Sequence, residues 1–342
     1  MNTEIKIKRN FETLTSEAQE QLLTELLSYY EMRGSVLEIA RAELQKSSKK
    51  KNCPHCSNES VYKRGKQNGV QMYSCRSCLK WYSETTGTPL WDIKLKHKWQ
   101  GYLRCMQQGK TLKQISKEIG ISIQTSFDWR HKILSSLNSH SPAKLSGEIE
   151  CDELELALSN KGSKTLQRPP RKRASDFKRN DATQEITVVQ VVTAVQRSGG
   201  KYLKAVESKR LSAEQITKVF EDKLSAEVTL ITDKHPSYKS YAKENQNIKH
   251  KAVLAKEHVS IEDKSVHLQH VNNTHAQLRK FLLPFNGVSS KYLQNYLNWF
   301  AYKDKLEGTK TTIKQWLFMI LDSAEAYQLF LQFKLNAVNI RT

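Results

Sequence analysis

The chain has 342 residues, a length that allows two or three domains and at least one sizeable hydrophobic core. It carries 55 lysine and arginine residues against 35 acidic ones, a formal net charge of +20. No apolar run reaches the roughly 18 residues needed to span a membrane, and the polar N-terminus has no signal-peptide pattern, so we expect a cytoplasmic protein without a membrane partner. A reducing compartment also fits all six cysteines.

The positive charge is concentrated in the middle of the chain. Residues 1–50 carry eight basic and eight acidic side chains, whereas residues 51–145 carry sixteen basic and five acidic ones. Such an excess favours a nucleic-acid backbone as partner, although charge alone is equally compatible with a merely basic surface.

The first predicted elements are helical. Apolar side chains recur at helical spacing over residues 11–45, with a break at Gly34. We therefore expect residues 1–50 to form an N-terminal helical segment, which on its own indicates no function.

Two Cys-x-x-Cys pairs follow, Cys53 with Cys56 and Cys75 with Cys78, separated by 18 residues. Each pair lets two sulfurs face one ion, and together they supply the four ligands of a tetrahedral zinc site. A closed four-sulfur site leaves no open position, so we predict a structural zinc ribbon over residues 51–90. Disulfide bonds are a weaker alternative, because nothing in the sequence indicates secretion. The other alternative is that the four cysteines are free thiols without a common role.

Residues 91–145 contain a predicted helix-turn-helix. Thr111 can cap a helix over residues 112–119, Gly120 can supply a left-handed turn, and Ser122 can cap a second helix that runs to about Leu134. The second helix is expected to present its polar side chains outward: Gln124, Thr125, Ser126, Asp128, Arg130 and His131. Of these, we expect Gln124, Thr125 and Arg130 to contact a DNA major groove. An ordinary helical hairpin is the alternative.

Residues 146–305 alternate between strands and helices. The pattern predicts strands near 148–157, 186–195, 202–206, 228–232 and 248–254, with helices near 212–224, 236–244, 270–282 and 289–300. This order predicts an α/β domain with a mixed sheet and helices on both faces, the order of the ribonuclease-H-like fold. Residues 306–342 are expected to form a C-terminal helical segment.

Two aspartates occupy positions where a carboxylate is costly unless it is hydrated, paired or bound to a cation. Asp152 lies within the first strand of this domain, and Asp233 ends a later apolar strand. In a ribonuclease-H-like sheet these strands lie side by side, so the two carboxylates could hold a pair of magnesium or manganese ions for phosphodiester chemistry. The alternative makes Asp152 a solvent-facing strand residue and Asp233 the cap of the helix at Pro236.

Several collinear segments carry a resemblance to a known family. They are the four-cysteine ribbon, Gly87-Thr-Pro-Leu-Trp91, Thr125-Ser-Phe-Asp-Trp-Arg-His131, Glu150-Cys-Asp-Glu153, Thr232-Asp-Lys-His-Pro-Ser-Tyr238, His270-Val-Asn-Asn273 and Phe285-Asn-Gly-Val-Ser-Ser-Lys-Tyr-Leu293. In these segments the chain resembles bacterial insertion-sequence transposases of the DDE class, in the ISXO-like group with an N-terminal zinc ribbon. The resemblance covers about residues 10–305.

The resemblance implies catalytic roles for matched residues. Asp152 matches the first catalytic aspartate and Asp233 the second. The third position is expected on the helix after the last strand, followed seven residues later by a basic residue; Asn272 with Arg279 has that spacing, as does the next pair along, Asn273 with Lys280. No glutamate occurs in His270–Phe281, and the histidines at 270 and 275 are the other candidate ligands or proton carriers.

The resemblance also implies partners. Arg279 or Lys280, and the basic stretch Arg168–Arg179 with Arg171, Lys172 and Arg173 at its centre, are expected to contact DNA backbone, although a solvated loop is the alternative for that stretch. The implied function is a transposase that binds double-stranded DNA at the ends of its own element, cleaves a strand and transfers it to target DNA. A homodimer or larger synaptic complex is expected. A catalytically inactive DNA-binding regulator is the second hypothesis, and a nuclease without joining activity is the third.

Overall fold

The computed structural model describes residues 3–20, 22, 52–67, 70–83, 85–86, 88–91, 93–95, 98–137, 144–163, 188–208, 210–254, 260 and 263–307. Most of the predicted helical segment 11–45, the basic stretch with Arg171, Lys172 and Arg173, and the predicted C-terminal helices from residue 308 lie outside these residues. Within the described ranges, no helix combines the length and the apolar character that crossing a bilayer requires.

The chain divides into two compact units. Unit 1 includes Met1–Lys110 and Gln114–Ile121, and unit 2 includes Thr111–Lys113 and Ser122–Thr311. The five-part division expected from the sequence stays a prediction.

Unit 1 contains a three-stranded antiparallel sheet and short helices. Its elements are α1 (Thr3–Glu12), β1 (Val61–Gln67), β2 (Val70–Cys75), β3 (Trp81–Ser83), α2 (Trp99–Gln107) and α3 (Leu112–Ile119, whose first two residues belong to unit 2). The strand order is β1-β2-β3. Helix α3 has the predicted bounds, and Gly120 adopts the left-handed conformation expected after it, with φ of +66°. Helix α2 has no counterpart in the sequence predictions.

Unit 2 contains the mixed sheet. Its elements are α4 (Ile123–Ser136), β4 (Leu145–Ala157), β5 (Val188–Gln196), β6 (Gly200–Val206), α5 (Ala213–Phe220), β7 (Leu224–Asp233), α6 (Pro236–Glu244), β8 (Ile248–Val253), α7 (Gln269–Leu282), a 3₁₀ turn (Leu283–Phe285) and α8 (Ser290–Glu307). The strand order is β6-β5-β4-β7-β8, in which β4 pairs antiparallel with β5 and parallel with β7. The prediction of a mixed α/β sheet is confirmed.

Helices cover both faces of this sheet. Successive strand residues point to opposite sides, so each strand has apolar side chains on both faces that pack against helices. On one face Ile149 and Cys151 of β4 pack with Phe220 of α5 and Tyr238 of α6. On the other face Leu154 packs with apolar residues of α7 and α8. The helix that was expected to run to about Leu224 ends at Phe220, and β7 begins at Leu224 and not at the expected Val228, because Leu224 pairs with Leu145 at the start of the parallel ladder.

Helix α4 corrects the predicted outward face of the second helix. Ser122 caps it as expected, with its hydroxyl accepting the Thr125 N–H, and Gln124 is exposed. Arg130 and His131, however, are 0% and 1% exposed. The prediction that these two side chains, and the fully buried Ser126, face outward was therefore wrong.

The buried side chains of α4 pack within unit 2 against α8 and the preceding 3₁₀ turn. The Arg130 guanidinium lies over the rings of Phe285 and Trp299, at 5.5 and 5.3 Å from their centroids. The His131 ring lies 4.6 Å from the Tyr292 ring, and its Nδ1 is 3.2 Å from the amide nitrogen of Asn295. Aromatic partners remote in sequence thus draw this face of α4 into the core.

Burial makes His131 an acid-sensitive element of unit 2. Burial, with a smaller contribution from the Arg130 charge, lowers the pKa of His131 from 6.5 to about 3. The unfolded chain takes up a proton below about pH 6.5 that the folded chain does not bind until about pH 3, so acid favours unfolding. Between pH 7 and pH 5 the unfolding free energy should fall by about 2 kcal/mol more in the native protein than in His131→Gln. Urea unfolding at both pH values measures this difference, and equal pH dependence in the two proteins would contradict it.

Candidate active site and metal centres

Asp152 and Asp233 occupy neighbouring positions on adjacent parallel strands. Cys151 of β4 pairs with Thr232 of β7, so the aspartate that follows each of them lies at the same level of the sheet. Adjacent strands are about 4.8 Å apart, and residues at the same register point to the same face. Asp233 does not cap α6: its Oδ1 accepts the backbone N–H of His235 at 3.0 Å, and His235 is the cap residue.

The surroundings of Asp152 and Glu153 disfavour the charged forms of their carboxyl groups. Burial, together with the nearby Asp233 charge, raises the pKa of Asp152 to about 6, although its Oδ1 accepts the Glu153 N–H at 2.9 Å. Burial and the charges of Asp152 and Asp233 raise the pKa of Glu153 to about 7. Asp152 and Asp233 thus lie close enough to repel each other where water is partly excluded, which is the environment that a divalent cation stabilises. Glu153, the next residue of β4, points to the opposite face, where its side chain lies beside that of Tyr238.

Helix α7 brings His275, and not Asn272, towards this site. His275 is 4% exposed, and its Nδ1 lies 3.9 Å from Oδ2 of Asp152. That separation is too long for a hydrogen bond but shorter than twice a metal–ligand distance of about 2.1 Å. Asn272 is exposed, and no hydrogen bond joins its side chain to either aspartate among the described residues.

The imidazole of His275 is poised to remain neutral. Burial, with a contribution from the Arg279 charge, lowers the pKa of His275 to about 4. Its Nε2 is buried and has no hydrogen-bond partner within the part of the chain that the structure describes. The other basic residue predicted on this helix, Lys280, is exposed, as is Arg279.

A buried carboxylate, that of Glu150, holds the start of α7. Its Oε2 accepts the backbone N–H groups of His270 at 2.8 Å and Val271 at 3.2 Å, which the first helical turn leaves unpaired. Its Oε1 lies 2.8 Å from Nδ1 of His270 and 3.2 Å from Nδ1 of His267. Arg197 donates its Nε to the same oxygen at 3.0 Å.

The Glu150 cluster was not predicted from the sequence. Arg197 extends it through Nη1 to Glu148 at 2.7 Å and through Nη2 to the carbonyl of Ser265 at 2.6 Å. The available signal was the alternation of Glu148, Glu150 and Asp152, which places all three carboxylates on one face of β4. Although the Glu150, His267 and His270 ligand atoms lie within 4.8 Å of one another, the guanidinium on Glu150 opposes a second cation there.

The four predicted zinc ligands converge in unit 1. The Sγ atoms of Cys53 and Cys78 are 3.6 Å apart, as are those of Cys56 and Cys75, and all four lie within 4.8 Å of one another. A tetrahedron with zinc–sulfur bonds of about 2.3 Å has edges of about 3.8 Å, so these thiols fit zinc. Hydrogen bonds from the backbone N–H groups of Cys78 and Ser77 lower the pKa of Cys75 to about 7, whereas burial and hydrogen bonds with the other three thiols raise the pKa of Cys56 to about 12. The fit to zinc therefore rests on the positions of the four sulfurs.

In contrast, the catalytic candidates are more widely spaced. Among the described residues, the four cysteines and the Glu150 cluster each have all their ligand atoms within 4.8 Å of one another. The ligand atoms of Asp152, Asp233 and His275 do not meet this limit. An ion at this position would have to draw the three side chains together.

The residues predicted to bind DNA differ in where the structure places them. Gln124 is exposed and Thr125 is half-buried near the start of α4, whereas Arg130 is fully buried. The prediction that Arg130 contacts a DNA groove is therefore wrong for this structure, because its guanidinium lies among aromatic rings inside unit 2.

The chain is distantly similar to structures of the Mos1 transposase. A pre-cleavage Mos1 transpososome has 13% identity and a TM-score of 0.30, covering 68% of this chain and 77% of that one. The Mos1 mariner paired-end complex with Mn has 13% identity and a TM-score of 0.28, covering 94% and 97%.

Two sequence comparisons are more specific. An uncharacterized protein in the transposable element ISH50 of Halobacterium salinarum is 25% identical over 278 residues, which are 80% of this chain and 90% of that protein. Residues 144–304, which contain both aspartates and His275, match the model of the ISXO2-like transposase domain. This part of the chain therefore belongs to the family of ISXO2-like transposase domains, insertion-sequence transposases of the DDE class.

Proposed function

We propose that this protein binds the double-stranded ends of its own insertion sequence, cleaves a strand with water and transfers the freed 3′ hydroxyl to target DNA. The observation that carries the proposal is the placement of Asp152 and Asp233 at one level of adjacent parallel strands, within a segment of the transposase family. The strand order, with antiparallel first strands and a parallel second half, supports a ribonuclease-H-like domain.

The residues present fit a pair of magnesium or manganese ions. Asp152 and Asp233 supply carboxylate oxygens, which these cations prefer. Burial and the neighbouring Asp233 raise the pKa of Asp152 to about 6, and a bound cation would favour its charged form. Bound there, the ions would activate the attacking oxygen and stabilise the leaving oxygen of the phosphodiester.

Other side chains of unit 2 support the same chemistry. His275, unprotonated at neutral pH, offers Nδ1 as the third ligand in place of the expected Asn272. Arg279 and Lys280 are exposed in the last turn of α7, where they can contact phosphates and position the strand without reading its sequence. No tyrosine or serine nucleophile is required, because water and the 3′ hydroxyl are the attacking groups.

We also propose how the DNA is held. Four cysteines would bind a structural zinc ion that stabilises the ribbon, and the ribbon and the predicted helix-turn-helix, with Gln124 and Thr125, would contact the element ends. The basic stretch around Arg171, Lys172 and Arg173 would add backbone contacts. Because two ends must be joined to one target, a homodimer or larger synaptic complex is expected.

The aspartates provide the main test. Asp152→Asn and Asp233→Asn should each lower magnesium-dependent nicking and strand transfer by at least about 100-fold, because each removes an anionic ligand while preserving side-chain shape. The measurement uses a labelled duplex that contains an end of the element, taken from the inverted repeats flanking the gene. Asp222→Asn, at an exposed position before β7, is the matched control and should retain activity.

Retained activity in both aspartate variants would contradict the catalytic assignment. If the native protein binds the duplex but shows no metal-dependent cleavage, the chain acts as a DNA-binding regulator instead. Nicking without joining would favour a nuclease.

The third ligand can be tested separately. His275→Ala should reduce cleavage at least about 10-fold and raise the magnesium concentration needed for half-maximal rate, because one ligand is lost. Asn272→Ala should leave both quantities nearly unchanged, since its side chain is exposed. His275→Gln, which offers an amide oxygen in place of the ring nitrogen, should recover part of the activity that the alanine variant loses. If Asn272→Ala loses more cleavage activity than His275→Ala does, Asn272 and not His275 is the third metal ligand.

The zinc proposal predicts about one zinc per purified chain. Cys75→Ser should abolish zinc binding, because a structural site with three sulfur ligands loses both affinity and closure. Cys105→Ser replaces another buried cysteine, which lies outside the ribbon, and should retain the metal. Mass spectrometry of the native protein measures the metal content. Much less than one zinc per chain would contradict the zinc proposal.

A further inference from the structure

One face of the three-stranded sheet of unit 1 carries an exposed aromatic and basic surface. Tyr62, Ser74 and Trp81 lie opposite one another across β1, β2 and β3. Tyr62 is 43% exposed and Trp81 is 61% exposed. The neighbouring row points the other way: Tyr73 and Tyr82 pack on the buried cysteines. The cysteine cluster therefore does not account for the exposed row.

Two arginines are held on this row. The guanidinium carbon of Arg64 lies 5.2 Å from the ring centroid of Tyr62 and 5.6 Å from that of Trp81, and Nε of Arg64 donates to Oγ of Ser74 at 2.8 Å. The guanidinium carbon of Arg76 lies 4.1 Å from the Tyr62 centroid. Stacking and the hydrogen bond restrict side chains that would otherwise lose much rotamer entropy on binding a ligand.

The charge of this sheet is unbalanced. Residues 52–83 contain five lysines and arginines and one carboxylate, that of Glu59. Within the described part of unit 1, neither Arg64 nor Arg76 forms an ion pair with a carboxylate, so their terminal nitrogens are available to an anion.

We propose that Arg64 and Arg76, held on Tyr62 and Trp81, clamp phosphates of the duplex DNA backbone; we call these four residues the arginine clamp. This assignment rests on the proposed function and names the surface of unit 1 that would contact DNA. Guanidinium groups match phosphate oxygens in a bidentate, planar geometry that an ammonium cannot provide.

The geometry favours phosphate contacts over base stacking. A base that stacked on Tyr62 would need a free ring face, but Arg76 already lies over one at 4.1 Å and Arg64 lies near the same ring. The rings therefore orient the arginines, and the contact carries no base-specific information. Binding through the clamp should be independent of sequence and sensitive to salt.

The test uses the full chain and fluorescently labelled 30-bp duplexes, one with an element end and one of unrelated sequence. The double variant Arg64→Ala/Arg76→Ala should weaken binding to both duplexes by a similar factor, about 10- to 100-fold, and reduce the slope of log K against log salt by about 2. Arg64→Lys/Arg76→Lys should keep most of the slope yet bind several-fold more weakly, because the bidentate geometry is lost.

Two further variants separate the arginine clamp from the loss of any positive charge on this sheet and from the loss of the aromatic rings alone. Lys63→Ala removes a cation from the neighbouring position of β1, in the row that contains Tyr73, and should bind both duplexes nearly as the native protein does. Tyr62→Leu/Trp81→Leu keeps both charges but removes the rings, and it should bind the duplexes several-fold more weakly. Zinc content should stay at the native value in every variant, which shows that the ribbon is intact.

Unchanged affinity and slope in the zinc-loaded double alanine variant would overturn the clamp. So would a loss confined to single-stranded DNA, accompanied by quenching of Trp81 fluorescence, since that would indicate base stacking on the rings. Failure of the proposed function would look different: the arginine variants would lose duplex binding as expected, while the native protein would show no metal-dependent cleavage.

Discussion

The parallel pairing of β4 with β7 is the interaction on which the candidate active site depends. Its register places Cys151 opposite Thr232, so the next residue on each strand is an aspartate at the same edge of the same face. A shift of one residue in either strand would turn one carboxylate into the opposite core, among Ile149, Cys151 and Tyr238. The ladder thus enforces the proximity of two charges that repel each other, a cost that packing on both faces of the sheet offsets and that a bound cation would remove.

A second constraint couples this strand to the helix that completes the site. Glu150, two residues before Asp152, accepts two backbone N–H groups at the start of α7 and is itself held by Arg197. The buried anion interacts favourably with the positive end of the helix, and its replacement would leave several donors unpaired. Since His275 lies about one and a half helical turns further along, its distance from Asp152 depends on where Glu150 fixes the helix start.

Local patterns in the sequence predicted most elements correctly. The bounds of α3 and α6 match, the strands β4 to β8 lie where alternation or dense β-branched residues indicated, and the Cys-x-x-Cys pairs converge as their spacing requires. These features depend on neighbours within a few residues. The errors arose where distant partners decide the outcome. Polar Arg130 and His131 are buried because aromatic residues of α8 and the turn before it pack around them, and β7 begins at Leu224 and not at Val228 because Leu145 pairs with Leu224.

The sequence by itself therefore determined the candidate metal ligands: four thiols at zinc spacing, two carboxylates in strands, and a helix with asparagines and histidines, but no glutamate, in the segment where the third ligand was expected. It did not determine which residue of that helix joins the carboxylates. Periodicity gives the relative direction of side chains on a helix but not the rotation of the helix against the sheet. Only the tertiary structure, through the Glu150 contacts and the packing of Leu278 and Val271 on the sheet, turned His275 inward and left Asn272 exposed. The reason is physical: a helix rotates as a unit to bury its apolar stripe, and the polar residues flanking that stripe take whatever direction results.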